Sequence, residues 1–277
     1  MKGIQAISVG HAVNVDTAAV GIVHSVFARA VNLLIRREMW TLVVEDQADL
    51  PFGIRIVTKD FTTLGLDRGD PVNVRGGFLG LRSRPSVVAI DCRAVPRWVP
   101  CPQSRLEPGL RDRLAVVAAA ARDRAWSGSA AMAAAAMTAL GKSDTHGNVL
   151  ASIVGRGPGA TPAGDDVLIG ILAVLQTQCS GTAGVDAAVR LCRLIAPLLP
   201  TTTDISAHLL RQAMNGLFGR SLHELLLATM GGLPRPGLTD AVRRVVETGA
   251  TSGADTCMGV IAAASSFLVP QDQRVAA

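Results

Sequence analysis

The chain has 277 residues, of which 49% are apolar, and this is enough for packed cores in two modest domains. Only 3% are aromatic and none is tyrosine, so the stacking platforms that single-strand nucleic-acid binding uses are scarce. The net charge is +5, but the 27 basic residues, almost all of them arginines, are scattered along the chain. We therefore expect a solvated basic surface and no nucleic-acid partner.

Cysteine, histidine and hydropathy patterns exclude further classes. The five cysteines include no C-x-x-C pair, and the five histidines lack zinc-site spacing. No run reaches about 18 strongly apolar residues, so no membrane span is expected. We expect cysteines that behave as small buried hydrophobes in a reducing compartment, and a cytoplasmic protein.

Residues 1–100 are predicted to form a β-rich domain. Short β-branched runs at 40–44, 53–57, 71–74 and 87–91 are separated by Gly, Asp and Pro turns. One helix is predicted over 25–35, where apolar residues share a helical face behind a capping Ser25. Three prolines in 93–102 indicate a linker.

Residues 101–277 are predicted to form a mainly α-helical domain, which makes the fold class α+β. Helical periodicity covers 106–124, 130–140, 165–176, 186–198, 205–217, 222–230, 239–248 and 255–267. Two of these helices follow loops that contain Gly, Thr and Asp.

The first of these loops reads Gly155-Arg-Gly-Pro-Gly-Ala-Thr-Pro-Ala-Gly-Asp-Asp166. Glycine allows the backbone to approach a ligand closely and proline fixes the turns, so the loop is predicted to be shaped. The start of the next helix favours an oxyanion, because its N–H groups are unpaired and its dipole end is positive. We expect an anion site here.

A nucleotide-binding loop is the obvious comparison, since Gly159 and Gly164 have its glycine spacing. Asp165 then stands where that loop has lysine. A carboxylate there repels a bare phosphate. Either Mg²⁺ held by Asp165 and Asp166 bridges the two, or the carboxylates hold a cationic or N–H-bearing ligand group.

The loop nearly repeats 90 residues later, where Gly249-Ala-Thr-Ser-Gly-Ala-Asp255-Thr256 precedes another apolar helix. Two helix starts of one design suggest two halves of one pocket. Thr161, Asp165, Ser252 and Asp255 would then face a shared ligand, with the two carboxylates within about 10 Å, a Debye length. The alternative is ordinary helix capping, which uses the same residue types.

These motifs, with Val23-His-Ser-Val-Phe27 and Asn32, resemble the family that includes the AllH subunit of oxamate carbamoyltransferase. Its pattern reads approximately G-x-G-x-G-L-T-P-S-G-D-D, with T-S-G-x-D near the end of the chain. Here Ala160 and Ala163 replace Leu and Ser. The resemblance implies a subunit that works beside other carbamoyltransferase subunits in allantoin breakdown, converting oxalurate and phosphate into oxamate and carbamoyl phosphate.

Carbamoyl transfer needs an oxyanion binder and hydrogen bonds to a planar amide. We therefore expect Asp165, Asp166 and His24 to be catalytic, with His24 acting from the β domain at a domain-interface pocket. The alternative for His24 is a structural role, in which it caps the helix predicted to begin at Ser25. Substrate-binding candidates cover both loops and the early motif: Gly155, Arg156, Gly157, Gly159, Thr161, Gly164, Ser25, Asn32, Thr251, Ser252 and Asp255.

No cofactor is required by the sequence, although Mg²⁺ at Asp165 and Asp166 stays open. The expected ligand is a small anion such as phosphate, carbamoyl phosphate or oxamate. Two other functions also stay open: a non-catalytic ligand-binding or assembly subunit, and a stand-alone Mg²⁺-dependent hydrolase or kinase.

Overall fold

The computed structural model describes residues 2–82, 87–100, 106–141, 147–177, 182–231 and 237–268. The chain divides into two compact units, Met1–Cys101 and Pro102–Ala277. The first is built from strands and the second from helices, so the predicted α+β class is confirmed.

The first unit is a closed β-barrel. Its strands are β1 Lys2–Gly10, β2 Ala19–Val26, β3 Ala30–Ile35, β4 Glu38–Val43, β5 Gly53–Ile56, β6 Pro71–Arg75, β7 Phe78–Arg82, β8 Val87–Asp91 and β9 Arg97–Trp98. The strand order is β5-β4-β3-β2-β6-β7-β8-β1-β9, and a β1–β5 pairing closes the ring of eight strands. Side chains such as Leu33, Leu42 and Ile54 fill the interior and are fully buried.

The four predicted strands coincide with β4, β5, β6 and β8. The helix predicted over 25–35 is wrong, because β2 continues to Val26 and β3 occupies Ala30–Ile35. Val31, Leu33 and Ile35 alternate into the barrel core, and this period of two decides the local structure. The only helical turn described in this unit is the 3-10 helix Phe61–Leu64.

Part of the predicted linker is a strand. Arg97 and Trp98 form β9, which pairs in parallel with Val9 and Gly10 of β1. The boundary between the two units lies between residues 101 and 102. Residues 101–105 lie outside the described residues.

The second unit contains α1 Leu110–Ala121, α2 Ser129–Gly141, α3 Gly147–Ala151, α4 Ala163–Thr177, α5 Thr182–Ile195, α6 Asp204–Met214, α7 Arg220–Met230, α8 Leu238–Val246 and α9 Ser252–Ser265. The predicted helices match all of these except α3. Helix α4 lies at the centre, since Val167, Leu168, Ile171 and Leu172 have no exposed surface. Within the described residues, no helix has both the length and the apolar character needed to cross a membrane.

The described cysteines Cys92, Cys192 and Cys257 carry free thiols. Burial is the main cause that raises the pKa of Cys92 and Cys257 to about 12. These two side chains therefore act as small hydrophobes, as predicted.

Candidate functional site

Helices α4 and α9 meet through a reciprocal pair of glycines. A methyl group on Gly170 would lie 2.1 Å from the Thr256 carbonyl oxygen, and one on Gly259 would lie 2.0 Å from the Val167 carbonyl oxygen. Only glycine permits backbones to approach this closely. The two helices are therefore held in one register.

The two helix starts have the same construction. A Cβ at Gly164 would lie 2.0 Å from the Ile153 carbonyl oxygen, and a Cβ at Gly253 would lie 1.7 Å from that of Val245. Each helix thus begins with a glycine packed on a backbone carbonyl of the preceding segment, which lies in the turn after α3 for Gly164 and in the last turn of α8 for Gly253. Gly164 and Gly253 are 89 residues apart, like Gly170 and Gly259, so the residue equivalent to Asp255 is Asp166. The sequence comparison, which used an offset of 90, paired Asp255 with Asp165.

A hydrogen bond joins the two loops. The hydroxyls of Thr161 and Ser252 lie 2.6 Å apart, and both side chains are partly exposed. The structure therefore brings the two near-repeats together, with Thr161 and Ser252 at the contact.

Asp165 anchors the first loop. Its Oδ1 accepts a hydrogen bond of 2.9 Å from the Gly155 N–H, and its Oδ2 accepts from the hydroxyls of Thr202 and Ser206, the latter at 2.6 Å. The carboxylate is fully buried. Thr202 and Ser206 lie at the start of α6, so Asp165 fastens the glycine-rich loop to that helix. Its catalytic role stays a prediction.

Asp255 anchors the second loop with one oxygen only. Its Oδ1 accepts from the Trp126 N–H at 2.8 Å and from the Ser129 hydroxyl at 2.6 Å, both at the start of α2. Its Oδ2 is buried and has no hydrogen-bond partner. One carboxylate thus both fixes the loop and presents an unpaired acceptor.

Asp166 differs from its neighbour Asp165. Burial raises the pKa of Asp166 well above its usual value, interactions with the Ser252 and Thr161 hydroxyls lower it, and the nearby Asp255 raises it again. Its Oδ2 is buried without a hydrogen-bond partner. Asp166 therefore interacts with Thr161, Ser252 and Asp255, and Asp166 and Asp255 each carry a buried oxygen without a hydrogen-bond partner.

The first loop also offers donors. Among the described residues, the backbone N–H groups of Gly157, Gly159, Ala160 and Thr161 donate to no protein acceptor. Gly155, Gly157 and Gly159 have φ values of 73°, 117° and 91°, which favour glycine. The Thr203 hydroxyl holds the Ala160 carbonyl at 2.6 Å, so the loop is fixed while its N–H groups stay available.

Other predicted residues lie around this centre. The Arg156 side chain is exposed, and its backbone carbonyl accepts from the Gly164 N–H at 2.8 Å, which closes the loop. Thr251 precedes α9, and its carbonyl accepts from the Asp255 N–H. Their contacts with substrate stay predictions.

The early motif forms a polar cluster on the barrel. A β-bulge at His24 brings His24 Nδ1 within 3.2 Å of the Ser25 hydroxyl. Asn32 donates to Ser25 Oγ at 3.0 Å and accepts from the Thr41 hydroxyl at 2.9 Å. With no helix at Ser25, His24 does not cap one; its catalytic role stays a prediction, as does substrate binding by Ser25 and Asn32.

Sequence reasoning missed Thr202, Ser206, Trp126 and Ser129, which complete the shells of Asp165 and Asp255. The run Thr201-Thr-Thr-Asp204 before α6 was the available signal, but it is also typical of helix capping. Within the described part of the chain, no three His, Cys, Asp or Glu side chains are placed to hold a metal ion. Asp165 and Asp166 also have different partners, so shared Mg²⁺ binding stays a prediction.

Two family models match the chain. Residues 5–96 match the AllH family N-terminal domain, and residues 153–264 match the model described as oxamate carbamoyltransferase subunit AllH. The second match contains α4, α9 and both loops. Comparisons with curated proteins and with solved structures found no match.

Proposed function

Because the chain belongs to the AllH family of oxamate carbamoyltransferase subunits, we propose that it serves carbamoyl transfer by binding a small anionic substrate. The proposed site is the joined start of α4 and α9. The observation that carries this proposal is the Thr161–Ser252 hydrogen bond, which unites two glycine-containing loops at two helix N-termini.

The loop supplies what an oxyanion needs. Four unpaired N–H groups lie between Gly157 and Thr161, next to the positive end of the α4 dipole. Phosphate, carbamoyl phosphate or oxamate presents oxygens that accept from such groups. Arg156, exposed on the same loop, adds a guanidinium suited to carboxylate or phosphate.

The reaction that we propose is carbamoyl transfer from oxalurate to phosphate, in the cytoplasmic breakdown of allantoin. A phosphate oxygen forms a bond to the ureido carbon of oxalurate, the bond from that carbon to the oxamate nitrogen breaks, and that nitrogen takes a proton. This chain would hold an anionic reactant in place, and positioning alone contributes strongly to such a transfer. Other subunits complete the enzyme.

A non-catalytic role is the second candidate. The engagement of Asp165 by three protein donors favours it, because a carboxylate that anchors a loop is not available for proton transfer. The chain would then bind ligand or organise a partner while the reaction takes place elsewhere.

Ligand-dependent thermal unfolding of the purified chain tests the anion site. Phosphate, oxamate, oxalurate and carbamoyl phosphate are added with and without Mg²⁺, and a ligand at one hundred times its Kd should stabilise the fold by about 2.7 kcal/mol. Thr161→Val should weaken binding, since it removes the hydroxyl at the loop contact. Thr138→Val, on the exposed side of α2, is the matched control.

The absence of any shift with all four ligands would contradict the anion site. Activity of the assembled complex separates the two candidates. If Thr161→Val lowers kcat of the complex, the chain takes part in catalysis, and if only assembly or ligand binding changes, its role is non-catalytic.

A further inference from the structure

Two carboxyl oxygens in the site have no partner. Asp166 is 4% exposed and Asp255 is 0% exposed, and Oδ2 of each makes no hydrogen bond. Leaving a buried acceptor unsatisfied costs about 1–3 kcal/mol, and more when it is charged. A buried acceptor of this kind needs a donor from outside the chain, which ordered water, an ion or a ligand can supply.

The residues around Asp166 and Asp255 limit which donor group can bind there. Asp255 Oδ1 already accepts from Trp126 and Ser129, so only Oδ2 is left for a ligand. Asp166 lies by the partly exposed hydroxyls of Thr161 and Ser252, which provide the side of approach. Two acceptors near one another suit a group with two N–H bonds, such as a planar amino group.

The N–H groups of the first loop require hydrogen-bond acceptors on the ligand, whereas the carboxyl oxygens require donors. Gly157, Gly159, Ala160 and Thr161 present donors, whereas Asp166 and Asp255 present acceptors. A bare phosphate would leave the carboxyl oxygens unpaired.

We propose that Asp166 and Asp255 are specificity-determining residues that accept hydrogen bonds from the amino group of a carbamoyl or oxamate-like ligand, while the loop N–H groups bind its anionic end. This rests on the proposed function, and it adds the requirement for an amide –NH2.

Oxamate and pyruvate test this directly, because they have the same shape and anionic group and differ in –NH2 against –CH3. Calorimetric titration of the full chain should show oxamate binding at least tenfold more tightly. Asp255→Asn keeps an oxygen for Trp126 and Ser129 but places a donor where Oδ2 was. Its ratio of oxamate to pyruvate affinity should fall to about one, with pyruvate affinity unchanged.

Asp166→Asn is the second variant, and it breaks none of the Trp126 and Ser129 contacts. Asp240→Asn, in the first turn of α8, is the matched control and should keep the wild-type ratio. Melting curves establish that each variant is folded.

The outcomes separate the two proposals. Equal binding of oxamate and pyruvate by the wild type overturns this inference and leaves the anion site intact, whereas binding of neither contradicts the anion site itself. If both ligands weaken equally in the folded Asp255→Asn and Asp166→Asn variants, the carboxyls have a structural role only, and the inference is wrong.

Discussion

The starts of α4 and α9 have the same backbone construction, but they differ in which aspartate anchors the loop and which presents an unpaired oxygen. In the first loop, Asp165 anchors the backbone and the next residue, Asp166, presents the unpaired oxygen. In the second loop, Asp255 performs both tasks, and Ala254 stands at the position equivalent to Asp165.

This difference shows how a near-repeat can diverge without losing its geometry. The reciprocal glycines fix the crossing of the two helices, so the side chains above it can change. A loop with two carboxylates can alter its ligand contact while keeping its anchor. A loop with one carboxylate cannot, and we expect it to tolerate substitution less well in function.

The largest expected loss of stability comes from replacing Asp165, which anchors the first loop. Asp165→Ala leaves the Gly155 N–H and the Thr202 and Ser206 hydroxyls without an acceptor. We expect the free energy of unfolding to fall by about 4 kcal/mol, because three donors lose their shared acceptor. Urea denaturation measures this loss.

Asp255→Ala is the comparison for that experiment. It removes the acceptor for two donors but also removes a buried oxygen that has no partner, so its loss should be smaller. An equal or larger loss for Asp255→Ala would show that the tasks are not divided as described.

The glycine crossing gives the next largest effect. Gly170→Ala and Gly259→Ala each force a methyl group against a backbone carbonyl, and should destabilise the protein by about 3 kcal/mol. Gly141→Ala is the control, because a Cβ there meets no atom within 4 Å. It should be neutral or slightly stabilising, as expected for alanine in a helix. Thermal unfolding of the three variants decides whether the crossing is as tight as these contacts indicate.

The last prediction concerns the pH dependence of stability that Asp166 causes. Since burial raises the pKa of this carboxyl, the folded state binds its proton more tightly than the unfolded state does. Its contribution to stability is complete below about pH 4 and is lost as pH rises through the raised pKa, by at most about 1.4 kcal/mol per pH unit. Asp166→Asn should therefore be more stable than wild type at neutral pH, and the difference should disappear in acid.

Asp91 serves as a control in the measurement of stability against pH, because its pKa is shifted in the opposite direction from that of Asp166. The hydrogen bond from Arg93 is the main cause that lowers the pKa of Asp91, so its contribution is lost as pH falls. If Asp166→Asn and wild type show the same pH dependence, Asp166 is not held in the environment described here.

Local sequence patterns predicted much of this fold because they reflect local physics. The β-branched runs that became β4 and β5, and the periodic run of α4, each indicate their structure directly. The segment 25–35 did not, since Leu33 fits both a helical face and an alternating strand, and closure of the barrel decides between them. Recognition of the near-repeat predicted that the two loops meet, and they do so at Thr161 and Ser252.

The sequence alone did not reveal which aspartate of the first loop is equivalent to Asp255. Matching Gly-Ala-Thr in both loops aligned Asp165 with Asp255, whereas the packing of Gly164 and Gly253 aligns Asp166 instead. Partners such as Thr202 and Trp126 are far from these carboxylates in sequence, and only the tertiary structure brings them together.

The closure of the barrel limits how other subunits bind this one. β1 and β5 complete the ring, so among the described strands only β9, with two residues, has a side that no other strand covers. That side is too short for a neighbour to extend the sheet by main-chain hydrogen bonding. A partner that binds this unit must therefore contact its side chains and loops.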